Sequence, residues 1–159
     1  MAIHIDKLTK IYEGGFKALD AIDLDIPKGS FFGLLGPNGA GKTTTIGILT
    51  GLVNLTSGSA AAMGKDVVNE FREARSLMGL SPQELNFDVF FSIRQLLILQ
   101  AGYYGLSKDR GASRADLMLE RFGLTEKANN TARELSGGMK RRVQIAKALV
   151  HDPPIIILD

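Results

Sequence analysis

Gly36-Pro37-Asn38-Gly39-Ala40-Gly41-Lys42-Thr43 fits the pattern G-x-x-x-x-G-K-[S/T] at every defined position. Each residue type has a physical reason. Gly36, Gly39 and Gly41 free the backbone to bend until successive N–H groups converge on one anion. A helix reading from Lys42 to about Thr50 would add its positive N-terminal end to the same anion. Lys42 supplies an ammonium for β- and γ-phosphates, and the Thr43 hydroxyl is a hard oxygen donor suited to Mg²⁺. A Gly-rich turn with a chance Lys-Thr would not also carry the right flanks. Here the apolar run Phe31-Phe32-Gly33-Leu34-Leu35 precedes the loop and reads as a strand. Together they predict a nucleotide phosphate site.

A second anion geometry lies downstream. Ser136 stands at an N-cap position, with Gly137 and Gly138 behind it and the apolar stripe Met139, Val143, Ala146, Val150 following at helical spacing. Side chains of no bulk leave the first N–H groups of that helix open to a phosphate. Ser-Gly-Gly by itself is better explained by a simple helix cap above a solvated Lys140-Arg141-Arg142 face. One chain needs only one phosphate loop, so a second such start points to a site shared by two molecules.

The elements around these motifs follow from patterning. Ile3, Ile5 and Leu8 alternate as in a half-buried strand, as do Ile22, Leu24 and Ile26 before the turn Pro27-Lys28-Gly29. Phe31–Leu35 and Ile155–Leu158 are uninterrupted apolar runs, the form expected of strands buried on both faces. From about Ser92 to Arg121 the spacing becomes helical, through Ile93, Leu96, Leu97, Leu117, Met118 and Phe122, with Gly102, Gly105 and Gly111 as punctuation. The expected fold is α/β: a mixed sheet of the P-loop NTPase type, with an antiparallel β start and a helical insertion. Residues 1–83 and 141–159 form the expected core, and residues 84–140 the insertion.

Composition removes several alternatives. The 159 residues carry a formal charge of +2, which gives no electrostatic case for nucleic-acid binding. There is no cysteine, so disulfide scaffolds, thiolate metal sites and thiol catalysis are excluded. Phe87 to Tyr104 is broken by Asp88, Arg94 and Gln95, and no apolar run reaches a bilayer-spanning length of about 18 residues. His4 and His151 have no second histidine or paired carboxylate at ligand spacing.

With these motifs in place, the sequence resembles the ATP-binding cassette (ABC) family along its whole length. Gly36–Thr43 matches its Walker A loop, Leu135-Ser136-Gly137-Gly138-Met139 its signature, and Ile155–Asp159 its Walker B strand. Ser81-Pro82-Gln83 is similar to its Q-loop, and Tyr12 stands where the family places an aromatic that stacks on adenine. Asn38–Thr44 and Ser136–Arg142 look closest to ATPase subunits of ABC-2 type exporters.

The resemblance implies ATP and Mg²⁺ as cofactors. Lys42, Gln83 and Asp159 are its catalytic residues, and Thr43, Gln83 and Asp159 its metal-side residues. Tyr12, Gly36, Pro37, Asn38, Gly39, Ala40, Gly41, Lys42, Thr43 and Thr44 would hold the nucleotide. Ser136, Gly137 and Gly138 would contact the γ-phosphate held by another copy in a head-to-tail dimer. From spacing alone, Gln83 is equally a solvated loop residue, and a Tyr near a strand end is more often structural.

The implied partner is a transmembrane permease subunit, which would keep the chain cytoplasmic and peripheral at the inner membrane face. Phe87–Tyr104 would contribute to that docking surface. A soluble, ribosome-associated ABC ATPase is the alternative. A coiled-coil ATPase head is disfavoured, because no heptad run separates Lys42 from Asp159. The family's water-polarising Glu and switch His would follow Asp159. The expectation is therefore an N-terminal fragment of a nucleotide-binding domain, one that binds ATP without efficient hydrolysis.

Overall fold

Alternating apolar residues at the start of the chain build an antiparallel sheet in the computed structural model, which describes residues 1–159. Strand β1 (Ile3–Ile11) pairs with β2 (Lys17–Ile26), setting Ile3 opposite Ile26, Ile5 opposite Leu24 and Leu8 opposite Ile22. The other edge of β1 takes β3 (Ser57–Ala62), which turns back into the short β4 (Lys65–Asp66), for a strand order β2-β1-β3-β4. Ile3, Ile5, Leu8, Ala60 and Ala62 are buried.

The apolar positions of β1 switch from odd to even between Ile5 and Leu8, and a bulge at Lys7 makes the switch. Lys7 has φ of +47°, the register shifts there, and its N–H donates to the Asp23 carboxylate at 2.8 Å. Gly58 crosses this bulge so closely that a Cβ on it would lie 2.3 Å from the Lys7 carbonyl oxygen.

The chain divides into two compact units, Met1–Met78 and Gly79–Asp159. The first also contains α1 (Lys42–Leu49), whose Thr45, Gly47, Ile48 and Leu49 are buried, and α2 (Phe71–Ser76). Phe31–Leu35 departs from expectation. It forms no strand, and Phe31 and Leu35 are almost fully exposed. An apolar run of this type becomes a central strand only when it is paired along its edges and covered on both faces. No strand of the structure pairs with it.

In the second unit, β5 (Met78–Ser81) pairs with β6 (Ile155–Leu158) as a two-stranded sheet. β6 is not buried on both faces as expected. Ile155 and Ile157 are half-buried while Ile156 and Leu158 are exposed, because β5 is its one partner and one face lacks cover.

Helices α3 (Ile93–Tyr103), α4 (Lys108–Arg121) and α5 (Gly137–Leu149) surround a core of Ile93, Leu97, Met118, Leu124, Val143 and Val150. Helix α3 starts at a capping box: Ser92 accepts from Gln95 N–H while the Gln95 side chain accepts from Ser92 N–H. It ends where Gly105 adopts φ of +82°. Gly111 does not punctuate; it sits inside α4, where a Cβ would be 3.4 Å from the Ala101 side chain. There the missing side chain lets α3 and α4 approach. A forked ion pair, Arg94 to Asp116 at 2.7 and 3.0 Å, ties the same helices at their surface.

Candidate nucleotide site

In the first unit, Gly39 and Gly41 both take left-handed backbone, with φ of +85° and +84°. Gly41 is the N-cap of α1, and a Cβ there would lie 2.5 Å from Leu19 Cδ2 and 2.8 Å from the Ala18 carbonyl. The loop thus presses its backbone onto β2, and only glycine fits. Ala40 N–H donates to the Pro37 carbonyl at 3.2 Å, closing the turn. Thr45 N–H and its hydroxyl both donate to the Gly41 carbonyl, at 2.8 and 2.9 Å, which starts the helix.

Residues 36–40 and Thr43 are exposed. No acidic residue occupies the first turn of α1, so its N-terminal partial charge is available to an anion. The Lys42 ammonium folds back over the loop, donating to the carbonyls of Gly36 and Pro37 at 2.7 Å each.

Tyr12 belongs to the same unit. Its ring is partly exposed, and its hydroxyl lies 3.4 Å from the Thr44 hydroxyl. Two neighbours escaped the sequence reading. Phe16 places its ring 6.5 Å from that of Tyr12 at an interplanar angle of 21°, and the Lys10 ammonium lies 4.8 Å above Tyr12. Gly14 and Gly15, both at positive φ, reverse the chain so that Tyr12 N–H donates to the Phe16 carbonyl at 2.9 Å. That Gly-Gly pair between two aromatics was the available signal.

In the second unit, the Ser136 hydroxyl accepts from Met139 N–H at 3.3 Å, the cap expected from sequence. Ser136, Gly137 and Gly138 are exposed, and a Cβ on either glycine would meet nothing within 4 Å. A short 3-10 turn, Ala132–Glu134, delivers the chain to this cap. The backbone N–H and hydroxyl of Thr131 hold the Glu134 carboxyl below its ordinary range.

Asp159 donates its N–H to the carbonyl of Ser81, two residues before Gln83 in sequence, at 3.0 Å, which sets it beside the end of β5. Both Gln83 and Asp159 are exposed. Gln144 was not singled out by sequence, and Arg141 was read only as part of a solvated face. Arg141 donates to the Pro82 carbonyl at 2.7 Å and to that of Asp159 at 3.4 Å, so it is no freely solvated charge. Gln144, which is buried, donates to the carbonyls of Pro82 and Glu84. Of the histidines, His4 pairs with Asp25 at 2.5 Å and His151 stacks on Tyr104 with ring centroids 3.5 Å apart.

A glycine-rich loop capping a helix, an aromatic at its side and a Ser-Gly-Gly helix start together define an ABC-type ATP-binding domain, and the comparisons agree. The ABC transporter family model matches residues 19–159, and the chain belongs to that family. It is 40% identical over 157 residues to the Nod factor export ATP-binding protein I of Cupriavidus metallidurans, covering 99% of this chain and 52% of that protein. It is also 40% identical over 158 residues to a daunorubicin resistance ATP-binding protein of Streptomyces coeruleorubidus, covering 99% of this chain and 50% of that one. The chain thus spans about half the length of the curated relatives it matches.

Among solved structures, an ATP-binding subunit of an ABC transporter superposes with a TM-score of 0.88 at 26% identity, over 100% of this chain and 66% of that one. A dimeric ATP-binding cassette in a post-hydrolysis state, bound to ADP and Pi, gives a TM-score of 0.83 at 28% identity, over 99% of this chain and 73% of that one. The α/β fold with its antiparallel start is that of ABC nucleotide-binding domains. No helix is long and apolar enough to cross a membrane.

Proposed function

We propose that this chain is the ATP-binding part of an exporter subunit, which couples ATP binding and hydrolysis to a transmembrane permease. The observation that carries the reading is the joint geometry of Gly41 and Lys42. A left-handed glycine caps α1 against β2, and the following ammonium already lies over the loop, 2.7 Å from two carbonyls. That arrangement suits a polyphosphate, whose oxygens would replace the two carbonyls as acceptors.

Tyr12, with Phe16 beside it, offers a ring face to the adenine, and Gly36 to Thr44 hold the phosphates. Thr43, Gln83 and Asp159 bring a hydroxyl, an amide and a carboxylate. These are hard oxygen donors of the kind Mg²⁺ accepts alongside phosphate oxygens and water. Held by these residues, the metal would supply positive charge against the phosphates. Residues 1–83 with 141–159 act as the nucleotide-binding core, and residues 84–140 as the helical part. Ser136, Gly137 and Gly138 face the γ-phosphate of a second copy in a head-to-tail dimer. The relative named for Nod factor export supports the export direction. The exposed apolar residues Leu85, Phe90, Leu99 and Tyr103 support docking to a permease at the cytoplasmic membrane face.

Titration calorimetry with MgATP tests the first step, with saturable 1:1 binding expected. Phosphate release by the full-length protein, with and without its permease, tests the second. No binding to wild-type protein, or equal heats from the Lys42→Ala variant, would refute the reading.

A further inference from the structure

Helix α5 runs from the Ser136-Gly137-Gly138 start directly beneath the segment that carries Gln83. Three of its side chains, spaced three residues apart, grip that segment. Arg141 Nη1 donates to the Pro82 carbonyl at 2.7 Å. Gln144 Nε2 donates to the same carbonyl at 2.8 Å and to that of Glu84 at 2.6 Å. The Lys147 ammonium lies 5.7 Å from the centre of the Phe87 ring. Gln144 is only 5% exposed, so its carboxamide has left water and both of its N–H groups are spent on this segment. Its oxygen faces Arg141 Nη1 at 3.5 Å. Arg141 also reaches the Asp159 carbonyl at 3.4 Å.

Pro82 and Glu84 are the two neighbours of Gln83, so its backbone is anchored on both sides while its side chain stays exposed. A buried amide bridging two carbonyls is expensive to break, because its own N–H groups would be left buried without acceptors. The Glu84 carbonyl would also lose the donor it has here, while Arg141 alone would remain on Pro82. Any displacement of α5 is therefore passed to residue 83.

We propose that Gln144, assisted by Arg141, is a positioning residue that fixes Gln83 to the helix opened by Ser136-Gly137-Gly138, so that phosphate contact at that helix start is transmitted to Gln83. The proposal rests on the roles given above to Gln83 and to Ser136–Gly138. Gln144 touches neither nucleotide nor metal in this arrangement; it acts through the carbonyls of Pro82 and Glu84.

The test uses the full-length protein with Gln144→Glu, which keeps the shape but replaces the donor by an acceptor. Gln144→Met, which keeps the volume without charge, serves if the first variant does not fold. The ATP dissociation constant should stay within about threefold of wild type while kcat falls about tenfold to a hundredfold, the split expected when alignment alone is lost. Limited proteolysis within residues 82–86 should quicken in both variants. Unchanged kcat, unchanged proteolysis at 82–86, or parallel losses of kcat, ATP affinity and melting temperature would each overturn the proposal. If wild-type protein hydrolyses no ATP, the functional reading itself fails. Proteolysis at 82–86 then still decides whether Gln144 holds the segment.

Discussion

The Lys42 ammonium donates to the Gly36 carbonyl at 2.7 Å, from the opposite end of the same loop. The cation proposed to bind phosphate therefore already has acceptors in its own loop, and nucleotide binding there would be an exchange of acceptors. Carbonyl dipoles are weaker partners than phosphate oxygens, so the exchange is favourable and sensitive to salt. Replacing Lys42 by Ala should weaken MgATP binding by about tenfold to a hundredfold, the scale of one charge-assisted hydrogen bond. Calorimetry at low salt reads the difference directly.

The glycines of the two motifs should respond in opposite ways. Gly41→Ala forces a side chain into left-handed backbone and against Leu19, at a strain cost of about 1–3 kcal/mol. Both melting temperature and ATP binding should drop. Gly137→Ala meets no atom within 4 Å and should leave the melting temperature unchanged or raised. Its effect should appear in light scattering, as weaker ATP-dependent dimerisation.

Removing the Tyr12 ring should cost about 0.5–1.5 kcal/mol of ATP affinity if it stacks on the base. Tyr12→Phe should bind almost as wild type, since the hydroxyl's contact with Thr44 is long at 3.4 Å. Comparing ATP with inorganic triphosphate separates the base contribution, and Tyr12→Ala should not affect triphosphate.

The Arg94–Asp116 pair makes a prediction about acid. The hydrogen bond from Arg94 is the main cause holding the Asp116 carboxyl below its ordinary 3.8, against the opposing effect of burial. A depressed value in the folded state means that the unfolded chain binds the proton more readily. The stabilisation is thus complete above that ordinary value and disappears as pH falls through the lower folded one. Both groups are substantially solvated, so Asp116→Asn should cost about 0.5–1 kcal/mol at neutral pH. Melting curves for the variant and wild type should converge as the solution is acidified below that range.

Much of the candidate site was legible because its signals are local. Left-handed glycines, an N-capping serine and a helix period act within a few residues, so Gly36–Thr43 and Ser136–Val150 could be placed from composition and spacing. The odd-to-even switch in β1 shows the limit of that approach. Ile3, Ile5 and Leu8 marked the buried face, but the bulge that reconciles them depends on Asp23 and Gly58, which the strand's own sequence does not contain.

What the sequence by itself determined was the chemistry on offer: a phosphate loop, an aromatic, a capped Gly-Gly helix start and a carboxylate after an apolar run. Tertiary structure alone decided which of these were positioned and by what. Phe31–Leu35 had the apolar character of a central strand, yet a strand exists only through its neighbours, and none pairs with it. Gln144 looked like an ordinary helix residue. Folding brings it onto the carbonyl of Glu84, 60 positions away in the chain, and no local pattern encodes a hydrogen bond over that separation.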